Sequence, residues 1–182
     1  MSIATVAPGL TTGTWIVDPG HSEVTFTIRH LMSKVRGSFT KFTATLKIAE
    51  ELADSSAIAE ITMASLDTRN PDRDTHIRSS DVLDVENHPT MTFMATGVHT
   101  EGGKHYMAGN LTIRGVTRPV SLEVEFNGVG EDPWGKTRAG FSASTTINRK
   151  DWGIEFNVPL KGDKALLGDK VDIQVEVQAV RS

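Results

Sequence analysis

The chain has 182 residues, a formal net charge of −4 and no cysteine, and 38% of its residues are hydrophobic. This length fits a single domain, residues 1–182 with a core at about 13–180. The lack of cysteine excludes disulfides, thiolate metal sites and cysteine nucleophiles, and the scattered, net negative charge argues against a nucleic-acid partner or a polybasic membrane anchor.

The N-terminal segment Met1–Thr14 contains no Lys or Arg, and Thr5 and Pro8-Gly9 interrupt its apolar stretch. A secretory signal peptide needs a basic start followed by about 7–15 apolar residues. A membrane span needs about 20 apolar residues, and no segment of the chain approaches that length. We therefore expect a cytoplasmic protein without a membrane span.

Two-residue alternation of apolar and polar side chains dominates the chain and predicts β-strands. In the clearest example, the apolar residues of 120–126 share one face, and Ser121, Glu123 and Glu125 share the other. One apolar and one polar face indicate an antiparallel sheet that is solvated on one side. Eight or nine strands are predicted, over Trp15–Asp18, Val24–Arg29, Phe42–Ile48, Ile58–Met63, Met91–Val98, Tyr106–Ile113, Val120–Asn127, Thr137–Ile147 and Val171–Ala179.

One helical insertion is predicted between the strands ending at 63 and beginning at 91. Asn70 can cap a helix, and Pro71 suits the first helical position. Asp72 and Asp74 fall in the first turn, where the helix dipole favours negative charge. We expect Asp74 to pair with Arg78 and the helix to end near Asp84, before Asn87-His88-Pro89.

Turn residues separate the later strands at Glu101–Lys104, Gly115–Pro119 and Gly128–Gly135. A meander of this kind predicts closure into a barrel or packing into a two-sheet sandwich. The interior of an eight-stranded barrel is either filled by side chains or holds one small ligand, and periodicity leaves both open. If the interior is a lumen, we expect its apolar lining to be Phe26, Ile28, Phe39, Leu46, Met63, Phe93, Leu122, Val124, Phe126 and Phe141.

Few residues suggest catalysis or metal binding. The six histidines include no H-x-x-x-H pair, so no metal site is predicted. Ser22, His30 and Asp18 could form a triad, but no G-x-S-x-G nucleophile elbow is present. The segment around Asp18 and Ser22 is more typical of a turn that braces a strand. The carboxylates at Asp72, Asp74, Asp81, Asp84 and Glu86 are expected to be solvated or to cap the helix.

The sequence contains no phosphate-binding loop or dinucleotide fingerprint, so no cofactor is predicted. Arg149 precedes Trp152-Gly153 at a turn. Cation–π packing of these two side chains could close one end of a barrel, and the same arginine could instead hold a polar ligand head group.

Five ordered motifs, in Trp15–Ser22, Val35–Phe39, Asp74–Asp81, Gly109–Thr117 and Ile147–Gly153, together with the Val171–Val177 strand, resemble the bacterial YceI family. The resemblance covers about residues 13–180. It implies an all-β fold, an extended eight-stranded antiparallel lipocalin-like β-barrel with one short helical insertion.

The resemblance further implies a non-enzymatic carrier, often a homodimer, that holds a long-chain isoprenoid or fatty amphiphile in the barrel lumen. His21, His30 and Arg149, near Trp152, are then expected to position its head group. Many family members carry a signal peptide, whereas this sequence shows none, which favours an intracellular branch. Two alternatives stay open, a hydrolase or isomerase that uses His30 with an acid in the same cavity, and a ligand-free interaction module with a packed core.

Overall fold

The computed structural model describes all 182 residues, and most of them lie in antiparallel β-strands. Two short α-helices are present, one before the first strand and one between strands, and neither has the length and apolar character of a membrane-spanning helix. In chain order the elements are α1 (Ile3–Val6), β1 (Gly13–Val17), β2 (Glu23–His30), β3 (Ser33–Phe39), β4 (Phe42–Ile48), β5 (Ser56–Thr62), β6 (Leu66–Asp67), α2 (Pro71–Arg78), β7 (Thr90–Glu101), β8 (Lys104–Ile113), β9 (Val116–Glu131), β10 (Thr137–Asn148) and β11 (Leu167–Arg181).

These eleven strands close into a barrel of eight. β1 and β2 are successive segments of one bent strand, because both pair with β11, at Val17↔Ala179 and Phe26↔Ile173. In the same way, β3 and β4 form one bent strand, because β3 pairs with β2 and β4 pairs with β1. β5 and β6 form another, because β5 pairs with β4 and β6 pairs with β3. Three bent strands and the single strands β7 to β11 therefore form the closed ring. The predicted eight-stranded antiparallel barrel is confirmed.

Several predicted boundaries differ from the structure. The turn predicted at Gly115–Pro119 consists only of Arg114 and Gly115, which both have positive φ. Pro119 lies inside β9, opposite Asn110 of β8. This part of β9 has no second neighbour, since its pairing with β10 begins only at Glu123. A proline is tolerated there because its missing N–H faces no partner strand.

The turn predicted at Gly128–Gly135 is also too long. Gly128 and Gly130 are paired residues of β9, opposite Gly140 and Arg138 of β10. The turn itself comprises only residues 132–136. The glycines suggested a turn because glycine weakens strands. In the structure both glycines stay paired in the β9–β10 ladder, next to a register shift between Gly140 and Phe141.

The helical insertion begins as predicted and ends earlier. Asn70 accepts a hydrogen bond from the Arg73 N–H, and Pro71 occupies the first helical position. α2 ends at Arg78 rather than near Asp84. Further turns follow, and Asp84 adopts a left-handed φ of 49°, which interrupts any helical continuation.

The two ends of the barrel differ in how they are covered. At one end, called here the closed end, α1 and the segment after it bury Ile3, Ala7 and Leu10 against Trp15, whose exposure is 0%. At the other end, called here the open end, lie the β2–β3 turn, α2 and the long β10–β11 connection. The closed end is solidly packed, so any interior space must lie towards the open end.

Two glycines let aromatic rings lie flat against the inner barrel wall. A Cβ at Gly37 of β3 would meet the Phe26 ring at 2.3 Å. A Cβ at Gly109 of β8 would meet the Phe93 ring at 2.5 Å. Any larger residue would displace these rings. The two family-like motifs around Gly37 and Gly109 thus contain glycine for a packing reason.

Candidate ligand cavity

A cavity of about 250 Å³ occupies the open half of the barrel. Nineteen of its 24 lining residues are hydrophobic. They come from β2, β3, β6, β7, β8, β10 and β11, from the β5–β6 connection, from α2 and its exit, and from the β10–β11 connection. The apolar members are Val24, Phe26, Ile28, Val35, Phe39, Met63, Leu66, Ile77, Val82, Leu83, Met91, Ile113, Ile147, Ile154, Phe156, Leu166, Leu167, Val171 and Ile173.

Only five polar residues line this cavity, namely Thr25, His30, Arg73, His76 and Arg149. None of them carries a carboxylate. Concave, mostly apolar sites with a few fixed polar groups are typical of binding sites for small apolar molecules. The two arginines can donate hydrogen bonds, and the threonine and the two histidines can donate or accept them. The site therefore suits a ligand with an apolar body and a hydrogen-bond acceptor.

α2 covers the cavity and is held by a buried carboxylate. Asp74, only 6% exposed, accepts hydrogen bonds from the N–H and the hydroxyl of Thr68. Arg73 donates to the Thr68 hydroxyl at 2.8 Å and to its carbonyl at 2.7 Å. The predicted Asp74–Arg78 pair is wrong, because Arg78 donates to the carbonyls of Ala64 and Leu66. Asp74 is also neither solvated nor a helix cap, contrary to expectation, because its buried carboxylate binds Thr68 outside the helix.

Arg149 is a buried cation at the edge of the cavity, with 4% exposure. Its Nε donates to the Gly168 carbonyl at 2.9 Å, and its Nη1 donates to the carbonyls of Ile154 and Phe156 at 2.7 and 2.9 Å. Nη2 has no hydrogen-bond partner and lies 3.8 Å from the exposed Asp169 carboxylate. Burial lowers the pKa of Arg149. Arg149 thus fixes the β10–β11 connection, and its Nη2 group remains able to donate a hydrogen bond.

Trp152 contributes to the core rather than to a cation–π pair with Arg149. Its indole N–H donates to the Leu111 carbonyl at 3.0 Å, and its side chain is 2% exposed. The aromatic contact at the cavity edge is instead between His76 and Phe156, whose ring centroids are 4.6 Å apart in an edge-to-face arrangement. His76 also contacts the Asp81 carboxylate at 3.2 Å.

The structure brings six of the thirteen predicted ligand-binding residues together around the cavity: Phe26, Ile28, His30, Phe39, Met63 and Arg149. The other seven lie outside its lining: Leu46, Phe93, Leu122, Val124, Phe126, Phe141 and Trp152. All seven except Val124 belong to the packed core or lie against it, and Phe126 and Phe141 contact each other with centroids 5.7 Å apart. The interior is therefore packed over part of its length instead of forming one long lumen.

The residues proposed for a triad are not assembled. Ser22 exchanges hydrogen bonds with the Gln178 backbone, as a turn that braces a strand requires. The Asp18 carboxylate contacts His21 at 2.9 Å and Arg138 at 2.8 Å. His30 lines the cavity without either residue. His21, also expected to position a head group, lies outside the lining, and its side chain is 64% exposed. No group of three His, Asp or Glu side chains is placed to hold a metal ion.

Sequence reasoning missed the contribution of the β10–β11 connection. Ile154, Phe156, Leu166 and Leu167 line the cavity, yet only Leu167 belongs to a strand. Residues 153–166 show neither a two-residue nor a helical period, so periodicity gave no signal. Two of the carbonyls that Arg149 binds belong to Ile154 and Phe156, and a buried arginine of this kind can organise an irregular segment.

Comparison with known proteins agrees with this architecture. Residues 15–179 match the model of the YceI-like domain. A UPF0312 protein of Staphylococcus epidermidis is 38% identical over 88% of this chain and 94% of its own. A UPF0312 protein of Vibrio parahaemolyticus is 34% identical over 100% of this chain and 95% of its own.

Solved structures share the barrel. The Campylobacter jejuni YceI protein has a TM-score of 0.71 at 29% identity and covers 85% of this chain and 90% of its own. A polyisoprenoid-binding domain from Saccharophagus degradans has a TM-score of 0.71 at 12% identity and covers 94% of this chain and 100% of its own. That last similarity concerns the fold alone. By the extent of the domain match and the identity to these relatives, the chain belongs to the YceI-like family.

Proposed function

We propose that this protein binds a long-chain amphiphile non-covalently in the open half of the barrel and acts as a carrier, not an enzyme. The apolar cavity is the observation that carries the proposal, because nineteen of its 24 lining residues are hydrophobic. The proposed ligand class is a polyisoprenoid or isoprenoid quinone. The polyisoprenoid part is supported by the name of the Saccharophagus degradans domain, which has the same fold. Phe26, Ile28, Phe39 and Met63 would contact the chain.

The volume of the cavity limits how much of the chain it can hold. Since an apolar cavity of about 150 Å³ admits benzene, 250 Å³ admits roughly ten carbons, or two isoprene units. Burying ten carbons contributes about 8 kcal/mol, and association costs at least about 4 kcal/mol. The difference corresponds to a Kd of roughly 1 mM. Tighter binding requires the rest of the chain to be buried at the open end, or core side chains to move.

Binding affinity should therefore increase with chain length. We expect prenyl alcohols of two, three and four isoprene units to bind progressively more tightly, as measured by displacement of a fluorescent apolar probe. Freshly purified protein should also show, by native mass spectrometry, an added mass that organic extraction identifies as a prenyl lipid. A clean apo mass together with no uptake of any of the three alcohols would contradict the proposal.

A variant that fills the cavity tests the location of the site. Val171→Trp adds an indole to the lining and should abolish uptake of the three-unit alcohol while the barrel remains folded by circular dichroism. Thr43→Trp is the matched control, because residue 43 is exposed on β4, away from the cavity. Uptake that survives Val171→Trp in a folded protein would place the ligand elsewhere.

The enzymatic alternative needs an acid in the cavity beside His30, and no carboxylate lies in the cavity lining. The carboxylate that His76 contacts belongs to Asp81, which is exposed and lies outside the lining. We therefore favour binding over catalysis. The homodimer implied by the family stays a prediction that light scattering coupled to size-exclusion chromatography would test. The cytoplasmic location also stays a prediction, for cell fractionation to decide.

A further inference from the structure

The β2–β3 turn at the open end has an unusual composition. Two other tight hairpin turns of the barrel use glycine, at Gly102-Gly103 and at Arg114-Gly115, as expected where φ must be positive. The β2–β3 turn instead contains Leu31 and Met32, and Leu31 takes a φ of 55°. Met32 is 100% exposed and Leu31 is 44% exposed. A left-handed, solvent-exposed leucine is unfavourable for folding on both counts, which points to a role outside folding.

This turn is tied directly to the cavity rim. The Leu31 N–H donates to the Leu166 carbonyl at 2.9 Å, and the Leu166 N–H donates to the Val158 carbonyl at 2.9 Å. Leu166 lines the cavity, and Val158 is another exposed apolar residue, at 40%. Leu166 thus joins the turn that carries Leu31 and Met32 to Val158. These three exposed apolar side chains belong to the same cavity rim.

The parts of β2 and β3 nearest the turn carry only positive charge. In the segment Arg29–Arg36, called here the rim hairpin, three cations occur and no carboxylate, although the whole chain has a net charge of −4. Arg29 lies directly opposite Lys34 in the ladder, and like charges in that position are destabilising. None of the three cations has a carboxylate within 4.0 Å, as the nine ion pairs of the structure involve other groups.

Two acids share the outer groove beside Lys34 and Arg36, namely Glu123 and Asp172. Both are engaged elsewhere. Glu123 pairs with Lys104 at 3.2 Å, and Asp172 accepts a hydrogen bond from Thr146 at 2.7 Å. The cations of the rim hairpin are therefore left without an internal counter-charge.

We propose that the rim hairpin docks on an anionic lipid bilayer, with Leu31 and Met32 in the apolar layer and Arg29 and Lys34 among the head groups. Inserted apolar side chains and nearby cations both contribute to binding at an anionic membrane surface. The chain has no polybasic cluster, so this binding would combine the apolar tip with the three local cations. Docking in this orientation places the cavity rim against the bilayer, so that an apolar chain can pass between them without crossing water. This use of the docked state depends on the proposed carrier function, whereas the docking itself does not.

Vesicle flotation tests the docking. Wild-type protein should float with vesicles of equal parts phosphatidylcholine and phosphatidylglycerol, and much less with phosphatidylcholine alone. The double variant Leu31→Asn, Met32→Gly restores an ordinary turn sequence and should lower the partition coefficient about tenfold or more. Lys34→Glu should lower it by a similar factor on the anionic vesicles only.

Trp134→Ser is the matched control, because Trp134 is 81% exposed in the β9–β10 turn at the opposite end of the barrel. Its flotation should equal that of the wild type. Flotation lost in Trp134→Ser but kept in the turn variant would overturn the proposal, and so would a wild type that does not bind anionic vesicles.

The two proposals fail in distinguishable ways. The turn variant should still take up a prenyl alcohol supplied from detergent, since its cavity lining is unchanged. Val171→Trp should still float with anionic vesicles. If neither the wild type nor any variant takes up the alcohol, the carrier function is contradicted. The docking is then still decided by the flotation results alone.

Discussion

Asp18 lies at the bend between β1 and β2 and joins distant parts of the chain. Its carboxylate accepts hydrogen bonds from Arg138 of β10 and from the Gly20 N–H, and contacts His21. Arg138 also donates to Asp132 at 2.8 Å. The bond from Arg138, followed by the contact with His21, lowers the pKa of Asp18 from 3.8 to about 2. This contribution to the stability of the bend therefore requires Asp18 to be ionised.

The sign of the resulting pH dependence follows from that depressed pKa. An acid with a lower pKa in the folded state stabilises the fold above its unfolded pKa and loses this contribution as the pH falls through the folded pKa. Asp18 should thus contribute about 1–2 kcal/mol at neutral pH, after allowance for its partial exposure. This contribution should disappear between about pH 4 and pH 2.

Urea unfolding at pH 7 and at low pH measures this contribution. Asp18→Asn should be less stable than the wild type at pH 7 and should lose less stability on acidification. Asp163→Asn is the control, because this exposed acid has no ion pair or side-chain hydrogen bond in the structure. A wild-type-like acid response in Asp18→Asn would rule out the assigned role of Asp18.

At the level of single residues, the sequence predicted local contacts better than distant ones. The Asn70 cap and the bond from the Gly20 N–H to Asp18 join residues two or three apart, and such pairs have recognisable spacings. The bonds between Ser22 and Gln178 span 156 residues, and no spacing indicates them. Asp74 was misplaced because its partner is Thr68, six residues earlier and outside the helix. No helical spacing indicates such a pair, whereas the i, i+4 rule wrongly favoured Arg78.

Among the elements, α2 is anchored by a single buried group, the Asp74 carboxylate. Asp74→Ala would remove the acceptor of the buried Thr68 N–H and hydroxyl. A buried donor left unsatisfied costs about 1–3 kcal/mol, so we expect a loss of about 2–4 kcal/mol for the two donors.

Chemical denaturation of Asp74→Ala measures this loss. Asp72→Ala, on the exposed side of the same first turn, should change the stability by less than about 0.5 kcal/mol. Because Arg73, His76 and Ile77 of α2 line the cavity, Asp74→Ala should also weaken binding of the three-unit prenyl alcohol. Equal stabilities of the two variants would show that the buried carboxylate does not anchor α2.

The strands with regular alternation were predictable, and those without it were not. β3 was missed as a strand because its inward positions are Val35, Gly37 and Phe39, and glycine gives no apolar signal. β6 has only two residues, too few for any period. The helix α1 has only four residues, which is also too short for a helical period. These are the elements whose formation depends on their neighbours in the barrel rather than on their own sequence.

For the whole molecule, alternation predicted a barrel but could not show how its interior is used. Every inward apolar residue gives the same signal, whether it packs against Trp15 at the closed end or lines the cavity. The position of the cavity depends on the segments that cover the barrel ends, and these have no period. Sequence reasoning therefore spread thirteen candidate residues along the whole barrel, and six of them line the cavity.

The uneven filling of the barrel has a consequence for its response to hydrostatic pressure. Pressure favours states of smaller volume, and its effect scales with the internal void that is eliminated. The open half contains a cavity of about 250 Å³, whereas the closed half is packed around Trp15. Methyl resonances of Ile28 and Val171 should therefore shift at lower pressure than those of Ile3 and Val17 in high-pressure NMR. A bound chain should make the barrel respond uniformly, so compressibility itself would report whether the carrier is loaded.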